Sequence, residues 1–243
     1  MKIVALIPAR FGATRFPAKL LADLCGKPLI LRTYLSTVGT GVFDEVIVVT
    51  DHEDISKLIQ SEGGKVFFSQ QEHESGSDRI AEAVMHMQAD VVVNVQGDEP
   101  FQDQNSLKTL VGVFMDKEVE VASMMTRFDG LDQVDNPNAV KVVVDRKNYA
   151  MYFSRSPIPY FRNTAIEASV FRHVGIYAYR KKALMAFTQM EKSPLEKVEM
   201  LEQLRLLENG IKIKMVESTH QAVSIDTKED LDRAVAHYKK FFV

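Results

Sequence analysis

The chain has 243 residues, 46% of them hydrophobic, with 30 Lys and Arg against 33 Asp and Glu and a formal charge of −3. That length supports one α/β domain with a sizeable core, and the slightly acidic balance argues against a nucleic-acid binder, which would carry a basic excess on one face. A single cysteine, Cys25, excludes an internal disulfide and a cysteine-pair metal site, and the five apolar residues between Lys2 and Pro8 are too few for a secretory core or a membrane span; a cytoplasmic location without membrane insertion is expected.

Apolar runs alternate with helical patterns from the start. Ile3 to Ile7 reads as a strand buried on both faces, followed by a helix near Pro28 to Thr37, a strand Glu45 to Thr50, a helix near Glu53 to Gln60 and a strand Lys65 to Phe68. The βαβα order continues with a helix near Asp78 to Met87, a strand Val91 to Val95, a helix near Asn105 to Met115 and a strand Val119 to Met125. Such alternation predicts an α/β fold with a mostly parallel sheet and helices on both faces. The rhythm then changes: Val140 to Val144, Ala150 to Phe153 and His173 to Tyr179 are strand-like with no full helix between them. This predicts a smaller, partly antiparallel lobe, at about residues 127–180 of a single domain spanning 1–243, whose strand edges would suit a dimer contact. Helical spacing returns at Leu195, Val198, Leu201, Leu204 and Leu207, and a strand from Ala222 to Ile225 leads into a closing helix from about Lys228.

The loop after the first strand, Pro8-Ala9-Arg10-Phe11-Gly12-Ala13-Thr14-Arg15-Phe16-Pro17-Ala18-Lys19, holds three cations and no acid. Ligands of open α/β sheets bind at the carboxyl ends of strands, and a basic loop there suits phosphate. Neither G-x-G-x-x-G nor G-x-x-x-x-G-K-[ST] is present, so the cradle relies on the forked donors of Arg10 and Arg15, the point charge of Lys19 and the open backbone at Gly12. The run Val91 to Pro100 ends in Gln96-Gly97-Asp98, where Asp98 is either a turn residue or a Mg²⁺ ligand beside the phosphates. Asp226 poses the same choice after Val223-Ser224-Ile225: a second metal carboxylate, or the entry to a helix capped by Thr227 and Asp230. His73-Glu74-Ser75-Gly76-Ser77-Asp78-Arg79 fits either a pocket for a flat base or an ordinary loop and N-cap. Arg155, His173 and Tyr177 lie in strand-like runs of the lobe, as sheet residues or as contacts for a second substrate. The glutamates on the Leu195 to Leu207 pattern read as a solvated helix face. With no G-x-S-x-G elbow, no H-E-x-x-H and no base beside Cys25, covalent catalysis is not expected. A dehydrogenase would also give βαβ alternation, but lacks its glycine fingerprint here.

Taken together, Ile7-Pro8-Ala9-Arg10, Thr14-Arg15-Phe16-Pro17-Ala18-Lys19, Val95-Gln96-Gly97-Asp98-Glu99-Pro100, Tyr152-Phe153-Ser154-Arg155, Met200-Leu201-Glu202-Gln203-Leu204-Arg205 and Asp226-Thr227 resemble one family, the 3-deoxy-manno-octulosonate (KDO) cytidylyltransferases, in unbroken order from about residue 3 to residue 231. The resemblance implies a Rossmann-like nucleotide-diphospho-sugar transferase fold, a homodimer, Mg²⁺ as cofactor, and transfer of CMP from CTP to KDO with release of pyrophosphate, for lipopolysaccharide assembly. A related sugar acid, 8-amino-KDO or sialic acid, is the alternative acceptor. It also implies roles. Arg10, Arg15 and Lys19 would hold the CTP phosphates; Ala9, His73, Ser75, Gly76, Arg79 and Gln96 would lie with the nucleotide. Asp98 and Asp226 would bind Mg²⁺ and, with Arg10 and Lys19, serve catalysis. Gln96, Arg155, His173, Tyr177, Glu202 and Gln203 would contact the sugar acid. The chain departs from the family pattern in having Ala18 where Gly is usual, Phe16 for Leu, Ser77 for Thr and Cys25 for Asn; Ala18 puts the path of the loop in question, not its charge.

Overall fold

A computed structural model describes residues 1–12, 16–128, 133–163, 169–218 and 224–241. The chain divides into two units, Met1–Leu107 with Ala222–Val243, and Lys108–Gln221.

The strands of the first unit are β1 (Ile3–Ala9), β2 (Glu45–Thr50), β3 (Lys65–Phe68) and β4 (Val91–Asn94), with order β3-β2-β1-β4 and every pairing parallel. Ala5 stands opposite Val46 on one side and Val93 on the other. Val4 to Ile7, Val48, Val49 and Val91 to Val93 have no exposed surface. Continuous apolar runs are what strands covered on both faces require, and each Val, Leu or Ile among them contributes about 1.5–3 kcal/mol on burial. The helices α1 (Leu29–Gly39), α2 (Glu53–Ser61) and α3 (Gly76–Met85) follow β1, β2 and β3 in turn. In α2 the spacing Ile55, Ile59 is fully buried, while Glu53 and Lys57 pair at 2.7 Å on the outer face. The chain winds from β1 outward to β3, then returns to set β4 on the other side of β1. That reversal parts the loops leaving β1 and β4 at their carboxyl ends, which is where such sheets open a crevice. The closing helix α8 (Lys228–Phe241) also belongs to this unit. Of the strand expected over 222–225, residues 222 and 223 lie outside the described residues, and Ser224 and Ile225 are irregular.

Helix α4 (Gln104–Gly112) runs across the boundary between the units. In the second unit β5 (Val121–Arg127) pairs antiparallel with β8 (Phe171–Arg180) and parallel with β9 (Ile213–Glu217). The strands β6 (Lys141–Val144) and β7 (Ala150–Ser154) form a hairpin, and β6 also meets the start of β8. The pairing of β5 with β8 slips between Ser123 and Met124, from Tyr177 to Val174, so Gly175 and Ile176 are extra residues on β8. Bulges of this kind re-aim side chains next to functional sites.

Three short helices complete the unit: α5 (Lys181–Phe187), α6 (Pro194–Glu199) and α7 (Leu204–Glu208). The single helix read from the Leu195 to Leu207 spacing is broken, because Met200 adopts a left-handed φ of 53° after α6. Of the residues on that spacing, Val198 is 79% exposed, whereas Leu201 and Leu204 are buried. The glutamates are likewise not a solvated face. Glu196 is buried and receives Arg205 through two bonds of 2.7 and 2.6 Å, and Glu199 accepts from Ser154 Oγ at 2.6 Å and Arg155 N at 2.9 Å.

Candidate active site

In the first unit the loops after β1 and β4 enclose a cleft of about 340 Å³ lined by Pro8, Arg10, Phe16, Lys19, Leu20, His73, Glu74, Ser75, Gly76, Arg79, Gln96, Gly97, Asp98 and Asp226. Residues from four separate stretches of sequence meet there. Lys19 opens a single 3₁₀ turn, Lys19–Leu21, set by Ala18 in the left-handed region at φ 53°. Its Nζ donates to Asp98 Oδ2 at 2.5 Å, Asp226 Oδ1 at 3.0 Å and Ile225 O at 2.9 Å. Burial works against the ammonium, but the two carboxylates outweigh it and hold the Lys19 pKa above the usual lysine value. The carbonyl of Asp98 accepts Ile225 N at 3.1 Å, which ties the two acid-bearing segments together.

Of the two readings of Asp226, the entry to a capped helix is the one observed. Thr227 and Asp230 cap α8 reciprocally, Asp230 N donating to Thr227 Oγ1 at 3.2 Å and Thr227 N to Asp230 Oδ2 at 2.8 Å. That cap uses only the backbone N–H of Asp226, leaving its carboxylate for Lys19. Ser75 similarly serves as the N-cap of α3, accepting Asp78 N at 3.1 Å, while lining the cleft. Gly97 packs closely: a Cβ there would crowd Pro8 O at 3.1 Å and Ile30 Cδ1 at 3.3 Å, so the neighbours would have to give by a few tenths of an ångström.

Arg79 is 5% exposed; one terminal nitrogen donates to Asp51 Oδ2 at 2.7 Å, and Nη1 is buried without a partner among the described residues. An unmet buried donor costs about 1–3 kcal/mol, so an acceptor entering the cleft at Nη1 would recover that cost. Of the residues expected with the nucleotide, Arg10, Lys19, His73, Ser75, Gly76, Arg79 and Gln96 line this cleft; Ala9 is buried as the last residue of β1. Arg15 lies outside the described residues. The reading missed Phe16, Leu20 and Glu74, along with Asp51, whose place at the end of β2 repeats the carboxylate-after-strand signal of Asp98.

The other expected contacts sit in the second unit. His173 Nε2 lies 3.0 Å from Ser123 Oγ at the β8 bulge, and its ring packs edge-on against Phe153 at 5.1 Å and beside Tyr177 at 5.3 Å. This burial, with a smaller part from Arg172, pushes the imidazole down to about 3, so it is neutral. Burial, then Tyr179 and Glu202, push the Tyr177 hydroxyl well above its usual value, so it stays a phenol able to donate. His173, Tyr177 and Glu202 thus form one neighbourhood. Gln203 is buried with Nε2 unpartnered among the described residues. Arg155 instead spends its guanidinium on the carbonyls of Glu199, Pro137 and Met200.

A family model described as Cytidylyltransferase matches residues 4–213. The chain belongs to the cytidylyltransferase family. Within it, the chain is 54% identical over 239 residues to the 3-deoxy-manno-octulosonate cytidylyltransferase of Flavobacterium johnsoniae, covering 97% of this chain and 98% of that one. It is 52% identical to the protein of the same name from Christiangramia forsetii, over 96% and 95% of the two chains. A solved structure of CMP:2-keto-3-deoxy-manno-octonic acid synthetase complexed with CTP superposes with a TM-score of 0.94 at 38% identity, over 99% of both chains. A 4-diphosphocytidyl-2C-methyl-D-erythritol synthase from Anaerococcus prevotii, at 15% identity and a TM-score of 0.66, shares the fold.

Two departures of this cytidylyltransferase from its family pattern share a physical cause. Ala18 and Cys25 stand where Gly and Asn are usual, and both have φ of 53°. Gly takes that conformation without penalty and Asn with little, whereas other L-residues pay about 1–2 kcal/mol. Asp98 and Asp226 converge on one cation, a donor set that suits Mg²⁺ when substrate phosphates supply further oxygens. Among the described residues no group of three or more His, Cys, Asp or Glu forms a metal cage from protein alone, and no described helix is long and apolar enough to cross a membrane.

Proposed function

We propose that this cytidylyltransferase transfers CMP from CTP to the anomeric hydroxyl of KDO, giving CMP-KDO and pyrophosphate, as a Mg²⁺-dependent cytoplasmic homodimer. The observation that carries the nucleotide part is the cleft of the first unit, which Arg10, Lys19 and the buried, half-satisfied Arg79 line together with the two aspartates that Lys19 holds. Forked and point cations of this kind neutralise a triphosphate and its leaving pyrophosphate. Mg²⁺ held by Asp98 and Asp226 would supply further charge compensation there. Lys19 aligns both carboxylates, and Ser75, Gly76, Arg79 and Gln96 orient the nucleotide. Neutral His173, the phenol of Tyr177, and Glu202 and Gln203 offer a polar, hydrogen-bonding surface suited to a polyhydroxyl acid; Arg155 supports it by fixing the carbonyls of Glu199 and Met200. His73 Nε2 is engaged by Glu82 and Ser69, and Ser75 Oγ by the cap of α3, which favours direct attack of the hydroxyl on the α-phosphorus with pyrophosphate leaving in line.

The test is pyrophosphate release as a function of CTP, sugar acid and Mg²⁺. Release that requires all three, with KDO favoured over 8-amino-KDO and sialic acid, is the expected result. Release without a sugar acid, or a preference for another acid, would replace this reading. A stereolabelled CTP should give inversion at phosphorus, and net retention would reject direct attack.

A further inference from the structure

Helix α3 carries a glutamate that turns back from the cleft. Glu82 Oε2 meets His73 Nε2 at 2.7 Å and also accepts from Ser69 Oγ, and Oε1 accepts Gln70 N at 3.1 Å. One carboxylate therefore gathers three donors from the stretch 69–73 that joins β3 to α3. Ser69 is itself anchored, its N–H donating to Thr50 O at 2.8 Å at the end of β2. The next residues, His73 to Gly76, line the cleft. The trio resembles a Ser-His-Glu relay in composition but not in geometry. Ser69 Oγ, at 3.0 Å, and Glu82 both meet the same ring nitrogen, Nε2, so the ring cannot pass a proton from one to the other. Burial would push the Glu82 carboxyl up, yet the Ser69 and His73 bonds and the Gln70 N–H outweigh it and hold it below the ordinary value. It stays ionised at neutral pH, as a brace needs.

The geometry points to Glu82 as a positioning residue for nucleotide binding: by collecting Ser69, Gln70 and His73 on one carboxylate, it holds the loop 69–75 in the shape that forms one wall of the cleft. This rests on the reading of that cleft as the CTP site. Glutamine at position 82 keeps the length but presents an NH₂ donor where three donors converge, so one of them is left facing a donor. A lost charged hydrogen bond, spent on reordering the loop at each binding event, weakens binding about tenfold or more.

In the full-length protein, Glu82→Gln is expected to speed hydrogen exchange at amides 70–76 and to raise both the Kd and the KM for CTP about tenfold. The turnover at saturation and the KM for the sugar acid should stay within about twofold, because no atom of Glu82 faces the reacting groups. Ser69→Ala, which removes one donor and leaves the carboxylate, should move exchange and CTP affinity the same way by less, and serves if Glu82→Gln does not fold. Wild-type exchange in the loop of a folded variant, or a fall in turnover with CTP affinity unchanged, would overturn the proposal. Faster exchange in a series where even the wild type fails to bind CTP would keep the brace and remove the nucleotide reading instead.

Discussion

Replacing Lys19 with methionine removes the cation that Asp98 and Asp226 share while keeping most of the side-chain volume. The side chains of Lys19 and Asp98 are 13% and 20% exposed, and that of Asp226 is 44% exposed. Removing one partner of a fully buried pair costs about 3–5 kcal/mol, whereas exposed pairs contribute about 0–1 kcal/mol. Most of the effect therefore comes from Asp98, and the screened Asp226 adds little. We expect Lys19→Met to lose about 2–3 kcal/mol at pH 7, a hydrogen-bonded charge left facing a second one, or about 5–10 °C in the unfolding midpoint for a chain of this size. The pH dependence has a definite sign. The folded pKa of Lys19 is raised, so its contribution is complete below the unfolded value near 10.5 and fades as pH climbs through the folded value. Wild type should weaken over that alkaline window, and the variant should lack this step. Adding Asp98→Asn to Lys19→Met should restore part of the loss, since the repulsion it relieves exists only without the lysine. Urea unfolding of the four proteins at pH 7 and 11 measures all of this. A Lys19→Met midpoint equal to wild type, or strict additivity in the double variant, would refute the shared-cation argument.

Other expectations are as direct. Asp98→Ala should fold yet lose at least about a thousandfold in turnover, through lost charge compensation at the phosphates; near-normal kinetics would show that Asp98 holds no metal. Ala18→Gly and Cys25→Asn should each gain about 0.5–1 kcal/mol in unfolding experiments by relieving left-handed backbone, and a loss at both positions would contradict the strain account. His173 is neutral in the fold down to about 3 and near 6.5 when unfolded. The unfolded chain alone takes up that proton, so stability falls as pH drops through this window, by at most about 5 kcal/mol. The drop between pH 7 and 4 should shrink in His173→Gln; an unchanged profile would place the acid sensitivity elsewhere.

The parallel half of the fold was legible because its signals are local. Runs such as Val91-Val92-Val93 and the Ile55, Ile59 spacing name their elements without reference to partners. What escaped depends on distant pairing or on unmarked backbone. Strand β9 alternates Ile213, Met215 with Lys214, a short signal given force only by its parallel pairing with β5, some ninety residues earlier. Helix α5 follows β8 directly at Arg180, with no side-chain cap to announce it. The break at Met200 has neither Gly nor Pro to mark it, so the leucine spacing reads through it. In the site, charged loops at strand ends mark Arg10, Lys19, Asp98 and Asp226, because position in an α/β sheet carries meaning. Asp51 and Glu82 are as well placed, but an acid that pairs inward has the same letter as one in solvent.

Where CTP binds decides the function of this cleft. A crystal structure with CTP and Mg²⁺ should place the triphosphate against Arg10 and Lys19, with the ion on Asp98 and Asp226 and an acceptor of the nucleotide on Arg79 Nη1. A triphosphate bound elsewhere, with Lys19 still locked between its two aspartates, would contradict the nucleotide reading.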